Sequence, residues 1–354
     1  MKLRRLLLPF SWLYALATTI RNRRFDRGQL PSQSYPLPII SVGNITVGGT
    51  GKTPLTEHLI RLLQPTYQVA LLSRGYGRKS KGVRVADDKA DYATIGDEPM
   101  QLKQKFPHLT VVVAEKRRDG IASLLRLPQP PQVILMDDAF QHRYVKPGLS
   151  ILVMDYHRPI WKDICLPAGN LREPASGMKR ADHIVVSKCP PDLSEQAADN
   201  IKKKLNIQPR QQVFFTSIKY GEPKKLIKEK HKNSFSQLVN QSANPITLLA
   251  GIGNPTPFFR MAEKYGKPIN KMQFADHHDF TKQELHDIEQ KITYSNQAKG
   301  LILTTEKDAV RLSASPYLSH QLADNIWYIP IEPSFLLNGE QQFNKMIHQF
   351  VEQF

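Results

Sequence analysis

The chain has 354 residues, which exceeds the length of one usual domain, so we expect two domains. Its formal charge of +17 favours a polyanionic partner, whether nucleic acid, an anionic membrane or a phosphorylated substrate, and charge alone does not choose among them. Only two cysteines occur, Cys165 and Cys189, and their separation excludes a paired metal or redox motif. We expect both to be buried thiols in a reducing compartment.

The first 25 residues predict an amphipathic helix that lies in a membrane interface. The apolar run over residues 6–20 is shorter than the roughly 20 residues that span a bilayer. Basic residues flank the run at both ends, and its large apolar side chains fall at helical spacing. An interfacial helix with cations at the lipid headgroups accounts for both features. A core helix and a cleaved secretory signal are the alternatives.

A glycine-rich stretch follows an apolar run at residues 37–42. Its glycines allow the backbone to curl with N–H groups pointing inward, and the next helix would present its positive end to the same ligand. Lys52 would contact the β- and γ-phosphates of a nucleotide and Thr53 a magnesium ion. The strict pattern has glycine where this chain has Thr46. The predicted phosphate-binding residues are Thr46, Val47, Gly48, Gly49, Thr50, Gly51, Lys52 and Thr53; the alternative is an ordinary surface turn.

Apolar runs alternate with helical stretches through the rest of the first half. This alternation predicts an α/β fold with a doubly wound, mostly parallel sheet. In such sheets the ligand site forms at the carboxyl ends of the strands, so functional residues are sought there. The predicted strands cover residues 69–72, 110–113, 133–136, 149–154 and 184–186.

Acidic residues end one of these strands. Four apolar residues lead into Asp137, as in a Walker B strand whose carboxylate binds the metal directly or through water. Asp138 could share this role, although paired aspartates at a strand end can also cap a helix. Residues 73–77 follow an earlier strand, and Asp97 opens a predicted helix.

The strand at residues 184–186 ends in Ser187-Lys-Cys-Pro190. A GTPase has Asn-Lys-x-Asp here, and its Asp binds guanine; Pro190 takes that place, which disfavours guanine specificity. A lysine-rich stretch over 211–233, which begins with a predicted strand at 213–215, indicates a linker.

A second series of strands follows at residues 246–250, 271–274, 301–305 and 326–329. Gly251-x-Gly253 lacks the third glycine of a dinucleotide fingerprint, which disfavours a second nucleotide site. The adjacent His277 and His278 have no third ligand at suitable spacing, which disfavours zinc. Thr281 and Glu284 have the spacing of a helix capping box.

Taken together, these motifs resemble the tetraacyldisaccharide 4'-kinases, which phosphorylate a lipid A precursor at the cytoplasmic face of the bacterial inner membrane. The resemblance runs from residue 42 to 308, with one departure at Ala139, where the family usually has glycine. The motifs that carry it are residues 42–54, Arg74-Gly-Tyr-Gly77, Gly96-Asp-Glu-Pro99, residues 137–142, residues 166–174, residues 179–182, Asp276-His277 and Thr304-Thr-Glu-Lys-Asp308.

The resemblance implies that the γ-phosphate of ATP passes to the 4'-hydroxyl of a tetraacyldisaccharide 1-phosphate. It assigns the base to Asp97, with His277 as its partner across the domain cleft, and Lys52 to charge neutralisation. Thr53, Asp137 and Asp138 would hold Mg²⁺. The implied substrate-binding residues are Arg74, Tyr76, Arg117 (in preference to Arg118) and Arg172.

The sequence thus predicts a P-loop NTPase-like α/β domain, a second smaller α/β domain and an N-terminal amphipathic helix. The predicted boundaries are 1–25 for the interfacial helix, 26–211 for the kinase domain, 212–235 for the linker and 236–354 for the smaller domain. The expected cofactors are ATP and Mg²⁺, and the expected partners are the lipid A disaccharide 1-phosphate precursor and an anionic membrane surface. We expect a monomer that binds no nucleic acid, because the lysine-rich stretch has few aromatic side chains among its cations.

The main alternative is a P-loop ATPase of the partition or metallochaperone kind, which switches a partner protein. Loops of that class carry lysine before Gly-Gly, where this chain has Val47. The kinase prediction therefore accounts for more of the sequence.

Overall fold

The computed structural model describes residues 3–227, 234–242, 245–266, 268–293 and 300–354. The described chain forms two compact units. The first comprises residues 1–89, 102–219 and 332–354, and the second residues 90–101 and 220–331, in each case as far as they are described. Met1 and Lys2 of the predicted interfacial helix, and Lys228, Lys230 and Lys232 of the predicted linker, lie outside the described residues.

Strands and helices alternate along most of the chain. The strands are β1 Ile39–Gly43, β2 Val69–Ser73, β3 Arg84–Val85, β4 Thr110–Val113, β5 Val133–Asp137, β6 Leu149–Asp155, β7 His183–Ser187, β8 Gln212–Tyr220, β9 Lys224–Lys225, β10 Ile246–Ala250, β11 Asn270–Gln273, β12 Leu301–Thr305, β13 Ile326–Ile329 and β14 Ile331–Phe335. The helices are α1 Leu8–Asp26, α2 Lys52–Leu63, α3 Tyr92–Ile95, α4 Asp97–Lys105, α5 Arg117–Leu125, α6 Glu195–Leu205, α7 Phe235–Ser242, α8 Thr256–Ala262, α9 Lys282–Thr293, α10 Glu306–Ser313, α11 His320–Asp324 and α12 Gly339–Glu352. Short 3₁₀ turns cover Leu3–Leu7, Ile160–Lys162, Ala175–Arg180 and Glu263–Tyr265.

The first unit is built on a sheet whose strand order is β14-β8-β7-β6-β1-β5-β2-β4-β3. β1 pairs in parallel with β5 on one side and with β6 on the other. The residues of β1, β2, β5, β6 and β7 are buried throughout, as expected for parallel strands covered on both faces. The predicted α/β class with a mostly parallel sheet is therefore confirmed, and each strand predicted in this half of the chain forms.

The strand order places the glycine-rich stretch and the paired aspartates side by side. The chain leaves β1 for β2, returns to pair β5 with β1, and then crosses to β6 on the other side of β1. Val42 of β1 lies opposite Asp137 of β5. Because both strands run in the same direction, the loop after β1 and the carboxylates after β5 emerge at the same edge of the sheet.

The second unit has its own, smaller sheet in the order β11-β10-β12-β13-β9. Its strands are parallel except β9, which pairs antiparallel with β13 at the edge. The predicted capping box forms at the start of α9: Glu284 N–H donates to Thr281 Oγ1 (3.2 Å) and Thr281 N–H donates to the Glu284 carboxylate (2.8 Å).

Helix α1 packs on the first unit through small and polar side chains. Ser11 is buried and its hydroxyl oxygen accepts from Ala168 N–H at 2.9 Å, and Asn22 donates to Glu173 at 2.8 Å. The large apolar side chains point the other way: Leu6, Phe10, Trp12, Leu13, Leu16 and Ile20 are each about half exposed or more. Among the described helices, α1 included, none is long and apolar enough to cross a membrane.

The compact units and the predicted domains differ in three segments. The predicted linker 212–235 is not separate: residues 212–219, most of β8, belong to the first unit, and the described residues from 220 onward, β9 among them, belong to the second. Residues 90–101, which contain Asp97, belong to the second unit, and residues 332–354 return to the first. The return places α12 against the first sheet, where Phe343 is fully buried among the rings of Phe214, Phe335 and His58. Amphipathic spacing indicates that a helix must pack, but it does not indicate on which sheet.

We predict that Phe343→Ala lowers the free energy of unfolding of the first unit by about 3–5 kcal/mol, because it leaves a cavity among three rings. Lys345→Ala, an exposed change on the same helix, should alter it by about 0.5 kcal/mol or less. Denaturant unfolding followed by circular dichroism measures both. Equal effects of the two changes would show that α12 does not pack through Phe343.

Candidate active site

The loop between β1 and α2 has the backbone of a phosphate-binding turn. Gly48 and Gly51 have φ values of 88° and 86°, in the left-handed region that glycine adopts without strain. Thr46 does not have a positive φ; it is buried and pairs with Leu171 in an isolated bridge. Threonine is therefore tolerated at 46 because the backbone there does not require glycine.

The carbonyl groups of this loop are held by side chains from outside it. Arg158 donates to the carbonyl oxygens of Val47 and Gly49, both at 3.2 Å. Lys188 donates to the Gly49 carbonyl at 2.5 Å, and the Ser187 hydroxyl donates to the Thr50 carbonyl at 2.6 Å.

The N–H groups of the same loop are left available. Among the described residues, no acceptor contacts the N–H groups of residues 48–51. Four successive N–H groups without an acceptor, next to the N-terminus of a helix that begins at Lys52, form a concave site for an anion.

Neighbouring polar side chains brace both ends of the loop. Asn44 is fully buried and donates to Thr50 Oγ1 at 2.8 Å, while Gln141 donates to the Asn44 carbonyl at 2.8 Å. Val47 N–H donates to the Asn170 carbonyl (2.8 Å), and Arg172 N–H donates to the Ile45 carbonyl (2.7 Å). The loop is therefore fixed from both sides by segments that are distant in sequence.

Asp138 joins two of the predicted cations. Its carboxylate accepts from Arg172 at 2.8 and 2.9 Å and lies 3.5 Å from Lys52 Nζ. Burial opposes ionisation, but the charges of Lys52 and Arg172 outweigh it and hold the pKa of Asp138 below its usual range. The backbone φ of Asp138 is 45°, a conformation that non-glycine residues adopt at a cost. Lys52 is thus held at the strand end beside the loop.

The residues at the end of β5 suit a small divalent cation. Asp137 is 2 % exposed, and Ser73 Oγ lies 3.4 Å from one of its carboxylate oxygens. Mg²⁺ prefers oxygen ligands and needs only one or two from the protein when a nucleotide and waters supply the rest. Asp137, Asp138 and the Thr53 hydroxyl offer such a set. No cluster of three or more acidic, histidine or cysteine side chains that could hold a metal by itself occurs in the described part of the chain.

The predicted substrate-binding residues differ in exposure. Arg74 is exposed and Tyr76 is 73 % exposed, so solvent reaches both side chains. Arg117 is 2 % exposed and donates to the carbonyls of Ala114 (2.6 Å) and Asp137 (3.3 Å). Burial lowers the pKa of Arg117 to about 10. Arg117 therefore braces the end of β5, and its predicted contact with substrate stays a prediction, as does that of Arg172.

In the second unit, Asp97 and His277 are hydrogen-bonded to each other. His277 Nδ1 lies 2.7 Å from Asp97 Oδ2, and Arg311 donates to the same oxygen. Asp97 is 5 % exposed and Arg311 7 %. Burial raises the pKa of Asp97, but the hydrogen bonds from His277 and Arg311 outweigh burial and hold that pKa below its usual range. The sequence places these residues up to 214 positions apart; both Asp97 and His277 belong to one compact unit.

Lys307 contacts the far side of the imidazole. Its ammonium lies 3.1 Å from His277 Nε2 and 2.8 Å from Asp276 Oδ1. The backbone φ of His277 is 62°, so this residue also occupies the left-handed region. A non-glycine residue is kept in such a conformation only where the surroundings fix it, and such residues concentrate at functional sites.

Comparisons with known proteins identify the family of this chain. A family model described as "Tetraacyldisaccharide-1-P 4'-kinase" matches residues 3–352. The chain belongs to this family. A tetraacyldisaccharide 4'-kinase of Phocaeicola vulgatus is 43% identical over 99% of this chain and 96% of its own length. One from Flavobacterium johnsoniae is 44% identical over 99% and 98%. A crystal structure of Aquifex aeolicus LpxK in complex with ATP superposes with a TM-score of 0.76 at 29% identity and covers 99% of both chains.

Several residues of this tetraacyldisaccharide-1-P 4'-kinase shape the glycine-rich loop or the Asp97–His277 pair but were not predicted from the sequence. Arg158 carried no signal in the sequence, because it acts on backbone groups more than 100 residues away. Asn44 and Gln141 lie within two motifs of the resemblance, residues 42–54 and 137–142, but the sequence assigned them no role. Lys188 lies within Ser187-Lys-Cys-Pro190, where a GTPase has Asn-Lys-x-Asp, and this position could have suggested a contact with the loop. Arg311 lies one helical turn beyond Lys307, in the segment that follows the Thr-Glu-Lys-Asp motif.

The two cysteines agree with expectation, since Cys165 and Cys189 are both buried free thiols. Burial raises the pKa of Cys189 to about 12, so this thiol stays protonated at neutral pH.

We predict that His142 is neutral near pH 7. Burial, followed by the positive charges of Arg117 and Arg74, lowers the pKa of His142 to about 4. The unfolded chain, with a histidine pKa of about 6.5, binds more protons in the interval between these values, so the contribution of His142 makes the folded state less stable as pH falls from about 6.5 to 4. NMR of labelled histidine should show no titration of His142 above about pH 5.5, whereas the urea-unfolded protein titrates near 6.5. A native midpoint above 6 would contradict the predicted environment.

Proposed function

We propose that this protein transfers the γ-phosphate of ATP to the 4'-hydroxyl of a tetraacyldisaccharide 1-phosphate in lipid A biosynthesis. Membership of the tetraacyldisaccharide-1-P 4'-kinase family over residues 3–352 is the observation that carries this proposal. The partition-type switch is not supported by a specific feature, because Val47 stands where that class has its signature lysine.

The loop after β1 is the proposed ATP site. Its four available N–H groups would bind the β- and γ-phosphates, and the similar Aquifex aeolicus structure is a complex with ATP. Lys52 would exchange its contact with Asp138 for the phosphates. Thr53, Asp137 and Asp138 would hold Mg²⁺, which neutralises charge on the phosphates when bound.

Asp97 is the proposed acceptor of the hydroxyl proton. Both of its donors, His277 and Arg311, contact Oδ2, and no hydrogen-bond donor of the described residues contacts Oδ1. Oδ1 is thus the oxygen available to a sugar hydroxyl. Phosphoryl transfer has a loose transition state, so an ionised, well-placed carboxylate suffices and a strongly basic one is not needed.

The proposed substrate contacts are Arg74, Tyr76, Arg117 and Arg172. Guanidinium groups bind phosphate through paired N–H donors, and a tyrosine ring can cover the apolar face of a sugar. Arg74 and Tyr76 have the exposure this role requires. Arg117 would act chiefly through its positive charge, because its side chain is already bonded to backbone carbonyls.

Helix α1 is the proposed membrane contact. A helix that packs on its own protein through Ser11 and Asn22, and turns Phe10, Leu13 and Leu16 outward, has the polarity of an interfacial helix. Together with the overall positive charge, this favours the anionic cytoplasmic face of the inner membrane, where the acylated substrate would reside. We propose that the protein works there as a monomer and binds no nucleic acid.

The direct test is a phosphorylation assay with radiolabelled ATP, Mg²⁺, detergent and the disaccharide 1-phosphate. We expect Asp97→Asn, which keeps the shape of the side chain, to lower kcat about 10²- to 10³-fold through loss of the proton acceptor. The KM for ATP should change little. An unchanged kcat in the folded variant would remove Asp97 from the mechanism, and ATP hydrolysis without lipid phosphorylation would favour the switch alternative instead.

For the membrane contact, we predict that the double change Leu13→Asn and Leu16→Asn weakens sedimentation with anionic vesicles about tenfold or more, because two large side chains no longer enter the bilayer. Leu125→Asn is a matched control, since Leu125 is 40 % exposed on a different helix of the same unit. Equal vesicle binding by the wild type, the double variant and Leu125→Asn would exclude α1 as the membrane contact.

A further inference from the structure

Helix α10 carries two cations on successive turns. It begins directly after β12, and Thr305 caps it by accepting from Asp308 N–H at 3.2 Å. Lys307 and Arg311 are four residues apart, so they lie on the same face of the helix. Lys307 contacts His277 Nε2, whereas the NH2 group of Arg311 contacts Asp97 Oδ2 and also lies 3.1 Å from His277 Nδ1.

Arg311 is hydrogen-bonded to the carboxylate member. It is 7 % exposed, and its NH2 donates to Asp97 Oδ2. Its Nε and NH1 have no hydrogen-bond partner among the described residues. Its NH1 lies 3.8 Å from Asp279 Oδ1, beyond hydrogen-bond distance. Burying a guanidinium group whose Nε and NH1 make no hydrogen bond costs free energy, which the charges of Asp97 and Asp279 offset.

Lys307 determines which nitrogen of His277 bears the proton. An ammonium group has donors and no acceptor, so Nε2, at 3.1 Å from Lys307, must accept. The proton of a neutral imidazole is then on Nδ1, which donates to Asp97 Oδ2 at 2.7 Å. Arg311 NH2, 3.1 Å from Nδ1, has no acceptor and donates to the same carboxylate oxygen, not to the ring. The hydrogen bonds thus run in one direction, from Lys307 through the imidazole to the carboxylate.

We propose that Lys307 and Arg311 are positioning residues that fix the direction of hydrogen bonding in the Asp97–His277 pair and keep Oδ1 of Asp97 available to the substrate hydroxyl. This inference rests on the proposed kinase function. The competing explanation is that the two cations only join α10 to its neighbours. A purely structural role would change stability but would not change the tautomer of His277 or the pH dependence of the rate.

Other titratable groups also face this cluster and enter the pH dependence. They come from α3, from the loop after β11 and from α10 itself. They are Tyr92, Asp276, Asp279 and Asp308.

The first arm of the test changes Arg311. Removing its charge in Arg311→Gln should raise the pKa of Asp97, so the carboxylate becomes protonated at higher pH and the acidic limb of kcat moves upward by about one pH unit or more. Arg311→Lys keeps the positive charge, so the acidic limb of its kcat–pH profile should lie close to that of the wild type. The KM for ATP should stay within about twofold in both. An unshifted limb in folded Arg311→Gln would overturn the role of Arg311.

The second arm changes Lys307 and has a readout besides activity. In Lys307→Met, Nε2 loses its donor, and ¹⁵N NMR of labelled histidine should show His277 leaving the pure Nδ1–H tautomer. Lys307 is 22 % exposed, so this variant should fold even if Arg311→Gln does not. Lys271→Gln is the matched control, because Lys271 forms an exposed ion pair with Glu263 in the same unit. In Lys271→Gln, the tautomer of His277 and the pH profile of kcat should equal those of the wild type.

The outcomes separate the two hypotheses. If the wild-type protein does not phosphorylate the lipid, the proposed function fails, and the NMR arm alone decides whether Lys307 sets the tautomer. If the wild-type enzyme is active but His277 keeps its tautomer and kcat in Lys307→Met, the inference about Lys307 is wrong and the proposed function stands.

Discussion

The glycine-rich loop depends on having its carbonyl groups hydrogen-bonded from outside. Arg158, Lys188 and Ser187 hold the carbonyls of residues 47, 49 and 50. A peptide whose carbonyl is held on one side presents its N–H on the other, so these contacts fix the N–H groups of residues 48, 50 and 51 in the concave row. Because the loop is ordered before any anion arrives, binding costs less conformational entropy.

The two clusters of the molecule use the same electrostatic device. In each, a carboxylate in a buried setting is flanked by two donors that outweigh the cost of burial: Lys52 and Arg172 at Asp138, His277 and Arg311 at Asp97. Both clusters also contain a non-glycine residue with positive φ. Strain of this kind persists where surrounding contacts hold it.

Helix α1 links the loop region to the proposed membrane surface. Its Tyr14 hydroxyl donates to the Arg172 carbonyl at 2.9 Å, and Arg172 in turn binds Asp138. The same helix turns its large apolar side chains outward. Through these contacts, the proposed membrane binding of α1 would be coupled to the order of the segment around Arg172.

Most of the strands, the sheet type and the loop chemistry are predictable from the sequence, because apolar runs, their alternation with helical stretches and the glycine pattern are local properties. The short strands β3, β9 and β14 were not predicted. The sequence also supplied Asp97 and His277, although only through resemblance to a family. Tertiary structure alone decided that residues 90–101 pack with the second unit, that α12 packs on the first, and that Arg158, Lys188 and Arg311 serve the two clusters. These facts depend on which distant groups meet, and a long-range contact leaves no periodic trace in a single sequence.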